Sequence, residues 1–88
     1  MSDLNDYLQY LTFERGLSPL TLQNYARDIK LLESLLENTS FEQVQNTQIR
    51  RFIATLHSRG RSGKTIARAL SAWRGFYDYL IHHKGYKQ

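Results

Sequence analysis

Cysteine is absent from this chain of 88 residues, which excludes a disulfide framework and a thiolate metal site and points to a reducing cytosol rather than to secretion. Proline occurs once, as Pro19, so nothing interrupts long helical stretches elsewhere. No run of about 18 uncharged apolar residues is present, and no membrane partner is expected. The segment Met1 to Tyr10 carries Asp3 and Asp6 where a secretory signal would be basic and then apolar, which makes Asn38-Thr39-Ser40 a glycosylation sequon in spelling only. His57, His82 and His83 stand without a carboxylate or cysteine at ligand spacing, so neither a metal nor any other cofactor is expected.

The shortage of acid is local. Residues 45–88 hold one acid, Asp78, against nine basic side chains, a net of +8, whereas residues 1–44 hold seven acids and three basic groups, a net of −4. Arg50, Arg51, Arg59, Arg61, Lys64, Arg68 and Arg74 follow one another with no acid between them. This unevenness, rather than the overall charge of +4, is the footprint of an anionic partner, and a phosphate backbone fits it. Apolar residues make up 41% of the chain and aromatics 12%, enough for one compact core; a chain of this length has no material for a second.

Apolar residues recur at three- and four-residue spacing and nowhere alternate over a useful length, which predicts an all-α fold: one bundle of four helices over residues 1–88. The first helix runs from about Asp3 to Glu14, with Leu4, Tyr7, Leu8 and Leu11 inward and Gly16 ending it. Ser18 caps the second, Pro19 fills its first turn, Leu17 staples onto Leu22, and Leu22, Tyr25, Ile29, Leu32 and Leu36 form its buried stripe. Gln23, Arg27, Lys30 and Ser34 lie opposite. Leu20, Leu31 and Leu35 sit off that stripe, available to a sister subunit. Asn38-Thr39-Ser40 breaks the run, and Phe41 and Val44 form a short apolar plug. Thr47 is expected to cap a third helix burying Ile49, Phe52, Ile53 and Leu56, with Gly60 as its left-handed stop. Ser62 opens the fourth and longest helix, which buries Ile66, Ala69, Leu70, Trp73, Phe76 or Tyr77, and Leu80, and runs to about His83. Short loops predict that successive helices pack as neighbours.

Gly60-Arg61-Ser62-Gly63-Lys64-Thr65 ends like a phosphate-binding loop, but the glycine required five positions before the Gly-Lys pair is Ser58 and no strand leads into it. Nucleotide hydrolysis is not expected. What remains is a helix start with free backbone N–H groups beside Arg61, Lys64 and Thr65, a seat for a DNA phosphate. On the fourth helix Lys64, Arg68, Ser71 and Gly75 share the face opposite Trp73, and two small residues there suit close approach to a major groove. Gln23, Asn24 and Arg27 offer donors and acceptors on the second helix. Tyr7, Tyr25 and Tyr77 fall on apolar stripes and read as core rather than as nucleophiles. No acid pair or activated serine is evident, and catalysis by this chain is not expected.

The succession Tyr7-Leu8, Arg15-Gly16-Leu17-Ser18, Thr21-Leu22, Tyr25 and Asp28, then Ile49-Arg50, Phe52-Ile53, Leu56, Gly60, Lys64-Thr65-Ile66-Ala67-Arg68, Leu70-Ser71-Ala72, Phe76-Tyr77 and Leu80, resembles the amino-terminal core-binding domain of the tyrosine recombinase (phage integrase) family, Xer type. The likeness runs in order over nearly the whole chain. It implies a SAM-like orthogonal four-helix bundle that clamps double-stranded DNA. The second and fourth helices would approach the major groove through Gln23, Asn24, Arg27 and Lys30 and through Lys64, Thr65, Arg68 and Arg74. Ala69 and Trp73 depart from the family pattern, standing where members often carry arginine and a smaller apolar residue. Members carry a larger catalytic domain with a His-x-x-Arg pair and a tyrosine nucleophile. No such pair occurs here, since His57 is followed by Ser58-Arg59-Gly60. The resemblance therefore implies a DNA-binding part of a bacterial, cytoplasmic recombinase. Its parent, with sister recombinase subunits, would serve DNA integration and recombination, chromosome dimer resolution, and chromosome partition in cell division. The competing expectation is a helical protein-interaction module of the sterile-alpha-motif type, which would tolerate salt where DNA binding would not.

Overall fold

Three serines set where helices begin. The computed structural model describes residues 2–86; Met1 and Lys87, which enter the reading of the amino terminus and the charge count, lie outside the described residues. Ser2 accepts the Asn5 amide at 3.1 Å and opens α1 (Asp3–Phe13), with Asp3 and Asp6 on the positive end of its dipole. Ser18 accepts the Thr21 amide at 3.3 Å and opens α2 (Pro19–Leu36), where the missing N–H of Pro19 costs nothing in the first turn. Ser62 accepts the Thr65 amide at 3.1 Å and opens α4 (Gly63–Lys84).

The remaining helix, α3 (Asn46–Ser58), corrects an expectation. Thr47 does not cap it but lies exposed inside its first turn; the cap is Gln45, whose amide donates to the Gln48 side chain at 2.9 Å. A glutamine three residues on thus satisfies the first amide without a hydroxyl. Gly60 is the expected left-handed stop at φ 82: its amide reaches the His57 carbonyl and the Arg61 amide the Leu56 carbonyl, the paired bonds of a Schellman ending. A 3-10 turn at Phe41–Gln43 precedes α3, and Phe41 lies edge-on to Phe76 at 4.9 Å while its carbonyl accepts the Tyr77 hydroxyl at 2.8 Å, so the expected plug is present.

Core residues fall into two clusters joined along α2 and α4. Leu4, Tyr7 and Leu11 of α1 meet Ile29, Phe76, Tyr79 and Leu80 in one; Phe52 and Leu56 of α3 meet Leu32, Leu36, Ile66, Ala69 and Trp73 in the other. Phe76 takes the central place, and Tyr77 is half-buried beside it. The expected neighbour packing of successive helices holds for α1 with α2 and for α3 with α4, but α2 packs chiefly on α4, because the longest helix lies between the two ends of the bundle. Leu31 and Leu35 pack against the second cluster, which leaves Leu20 and Phe13 as the exposed large apolar side chains. Among the described residues no strand occurs, and no helix is long and apolar enough to cross a membrane.

Candidate nucleic-acid interface

Where α2 crosses α4, one carboxylate organises the surface. Asp28 is 3% exposed, and its two oxygens accept Nε and Nη2 of Arg68 at 3.2 and 3.3 Å, forty residues away in the sequence. The Trp73 indole donates to the Asp28 carbonyl at 2.8 Å from the core side. Arg68 is thereby fixed by its inner edge. Its side chain remains half exposed, and the planar fork has further N–H groups to offer outward. One residue before Asp28, Arg27 donates to Asn24 Oδ1 at 3.2 Å, which ties two of the expected α2 residues together, and Gln23 and Lys30 are exposed on the same helix.

At the start of α4 the local bonds decide what is free. The Thr65 amide is taken by Ser62, and the two hydroxyls bond each other at 3.0 Å, while the Ile66 amide reaches the Ser62 carbonyl. Of the first-turn amides this leaves those of Gly63 and Lys64 for an anion, with Arg61 and Lys64 exposed beside them. Thr65 accordingly serves the Ser62 cap first.

Two expected features sit elsewhere. Arg74 lies on the α3 flank of α4, where with Arg50 it borders an open groove of about 460 Å³ floored by Ile49, Ile53, Leu70 and Trp73. Ser71 is exposed but Gly75 is only half so: both line a cleft toward α1, and the Tyr7 hydroxyl occupies the space that a Cβ on Gly75 would need, at 3.0 Å. The small residue serves internal packing there. Ala69 is fully buried and Trp73 nearly so, so both departures from the family pattern fall in the core. Burial pushes the Tyr7 phenol up to about 12 and raises that of Tyr77 as well, so both are neutral near pH 7. Among the described residues no group of three His, Cys, Asp or Glu side chains converges to hold a metal ion.

Asp28 is the residue that sequence reasoning left out. It appeared only as a matched letter in a pattern, and an acid on the flank of an apolar stripe was the one available signal of a buried partner.

Residues 4–84 match the family described as phage integrase, N-terminal SAM-like domain. The chain belongs to this family. Its relatives include the tyrosine recombinase XerC of Ralstonia pickettii, 49% identical over 78 residues that make up 84% of this chain and 24% of the relative. XerC of Pseudomonas aeruginosa is 37% identical over 83 residues, 91% of this chain and 27% of the relative. That of Chromobacterium violaceum is 42% identical over 65 residues, 74% and 22%. This phage-integrase SAM-like domain thus spans about a quarter of the length of the recombinases it matches. No solved structure matches it significantly.

Proposed function

We propose that this domain grips double-stranded DNA for a tyrosine recombinase, laying the α2–α4 surface against the duplex. The observation that carries the reading is Arg68, held at its inner edge by a buried carboxylate and still half exposed, with Arg27, Lys30 and Lys64 on the same two helices and Arg61 just before α4. An arginine fixed in this way has less side-chain freedom to lose on meeting a phosphate or a guanine edge than a free one. Gln23 and Asn24 supply groups able to donate and accept toward base edges. Lys64, the neighbouring amides and the Thr65 hydroxyl face a phosphate, and Arg74 reaches the backbone from the α3 flank.

The domain contributes binding rather than cutting. Burial holds the Tyr7 and Tyr77 phenols neutral, and the phosphoryl transfer belongs to the remainder of a parent that resembles XerC. That parent carries out site-specific strand exchange with sister subunits in the cytoplasm, in the service of chromosome dimer resolution and segregation. A clamp half on its own lacks the effective concentration that the other half provides, so its affinity is expected to be micromolar or weaker and largely independent of sequence.

Fluorescence anisotropy of labelled duplex DNA, titrated with the domain at several salt concentrations, tests this. Binding that weakens steeply with salt, and that weakens further in an Arg27→Ala, Arg68→Ala double variant, is the expected result. No binding at low salt would sink the reading and favour a protein-interaction module, and nanomolar binding indifferent to salt would contradict it as well.

A further inference from the structure

Between α1 and α4 lies a cleft of about 330 Å³ whose walls include Tyr7, Arg15, Tyr25, Ser71, Gly75 and Asp78. Tyr7 is 4% exposed, and none of the side-chain hydrogen bonds among the described residues uses its hydroxyl. No solvent-sealed polar side-chain atom lacks a partner, so the Tyr7 oxygen must reach solvent through this cleft. It rests against Gly75, which keeps the helix from covering it. An almost wholly buried aromatic thus presents a single unpartnered polar atom to an open space.

The field at that atom has a definite sign. Burial keeps the phenol protonated, with its pKa pushed up to about 12, and it is a donor at neutral pH. Arg15 and Asp78 both line the cleft, and of the two Arg15 has the larger effect on the phenol. The site therefore favours an anion. The cleft also lies along the helix that carries Arg68: residues 68 to 75 cover about 10 Å of helix axis. A strand passing over Lys64 and Arg68 would arrive at it.

We propose that this cleft seats a backbone phosphate of the bound duplex, with Arg15 supplying charge and the Tyr7 and Ser71 hydroxyls donating to the phosphate oxygens. The proposal rests on the DNA-binding reading and extends its footprint from α2 and α4 to α1 and the turn after it. Asp78 opposes the phosphate and limits its affinity.

The test is DNA binding across salt by the full chain and its Arg15→Ala, Tyr7→Phe, doubly substituted and Asp78→Asn variants. Arg15→Ala is expected to weaken binding on the order of tenfold whatever the DNA sequence and to lower the salt slope by about one. Tyr7→Phe should cost about threefold, and the double variant less than the product, because both groups hold one phosphate. Asp78→Asn should tighten binding about twofold to threefold. Wild-type protein that binds DNA while Arg15→Ala and Tyr7→Phe match it in affinity and slope overturns the cleft and leaves the wider reading standing. Weaker binding by Arg15→Ala with an unchanged slope overturns it too, as the mark of a merely structural role. Wild-type protein that fails to bind DNA removes both.

Discussion

Arg68 holds Asp28 and, in the proposed function, meets DNA, and the two roles separate under substitution. Truncating it to alanine removes a positive charge from the surface and also leaves the Asp28 carboxylate, only 3% exposed, without its counter-ion. A fully buried pair broken in this way costs about 3–5 kcal/mol; here water reaches Arg68, so a loss of about 2–3 kcal/mol is expected. Arg27 is exposed and bonded only to Asn24, and Arg27→Ala should stay within about 0.5 kcal/mol of wild type. Urea denaturation of the two single variants distinguishes them: equal midpoints would mean that the Asp28 pair contributes nothing to the fold. Binding by Arg68→Ala must accordingly be measured well below its own unfolding midpoint. Arg68 was legible in the sequence as a surface cation, since the helical period puts it opposite Trp73. Its restraint was not, because the acid that holds it lies on another helix and no local spacing announces a contact across forty residues.

Helix starts in this chain are easier to read than helix stops. Ser2, Ser18 and Ser62 each stand where a hydroxyl meets the third amide, and all three starts follow from residue type. The start of α3 did not, because a glutamine side chain does the work from within the helix and leaves Thr47 as a decoy. Gly60 and Gly16 mark stops at φ 82 and 62, but α2 ends on Glu37 at φ 57, ψ −112, a conformation that L side chains rarely adopt. Asn38-Thr39-Ser40 gave the right neighbourhood and could not show that the strained residue is the glutamate before it. Glu37→Gly should therefore stabilise the domain by about 1 kcal/mol, through relief of strain that exceeds the added entropy of the unfolded chain. Thermal or chemical denaturation checks it, and a destabilised variant would show that the Glu37 turn is unstrained. Of the candidate site, the α2 and α4 faces were legible in outline. The division of Arg74 from Arg68 was not, because a helical wheel places residues around an axis but not the neighbouring helices that turn one flank into a groove and the other into a cleft.

At the scale of the molecule, the two ends of the described chain are fastened to each other, and the fastening depends on pH. Lys84, at the end of α4, donates to Asp6 of α1 at 2.6 Å, and the Tyr86 hydroxyl donates to the Asp3 carboxylate. Tyr79 stacks on His83 alongside, and Tyr10 meets both rings at a tilt, with ring centroids about 5 Å apart. The bond to Asp3 pushes the Tyr86 phenol up to about 12, burial does the same for Tyr7, and the bond to Asp6 raises Lys84. Each of these groups holds its proton more tightly in the folded state than in the unfolded chain. Between about pH 10 and 12 the unfolded state gives up protons that the folded state retains, and stability must fall as pH rises through that window. Below pH 10 both states are protonated at these groups and their contribution is fully present. The expected thermal midpoint is therefore insensitive to these groups from pH 7 to 9 and declines above 10. Tyr86→Phe should lower the plateau, because it removes the bond to Asp3, and flatten the alkaline decline, because one of the titrating groups is gone. A midpoint for Tyr86→Phe that tracks wild type in both regions would mean that the ends are held by the apolar contacts of α1 with α4 alone.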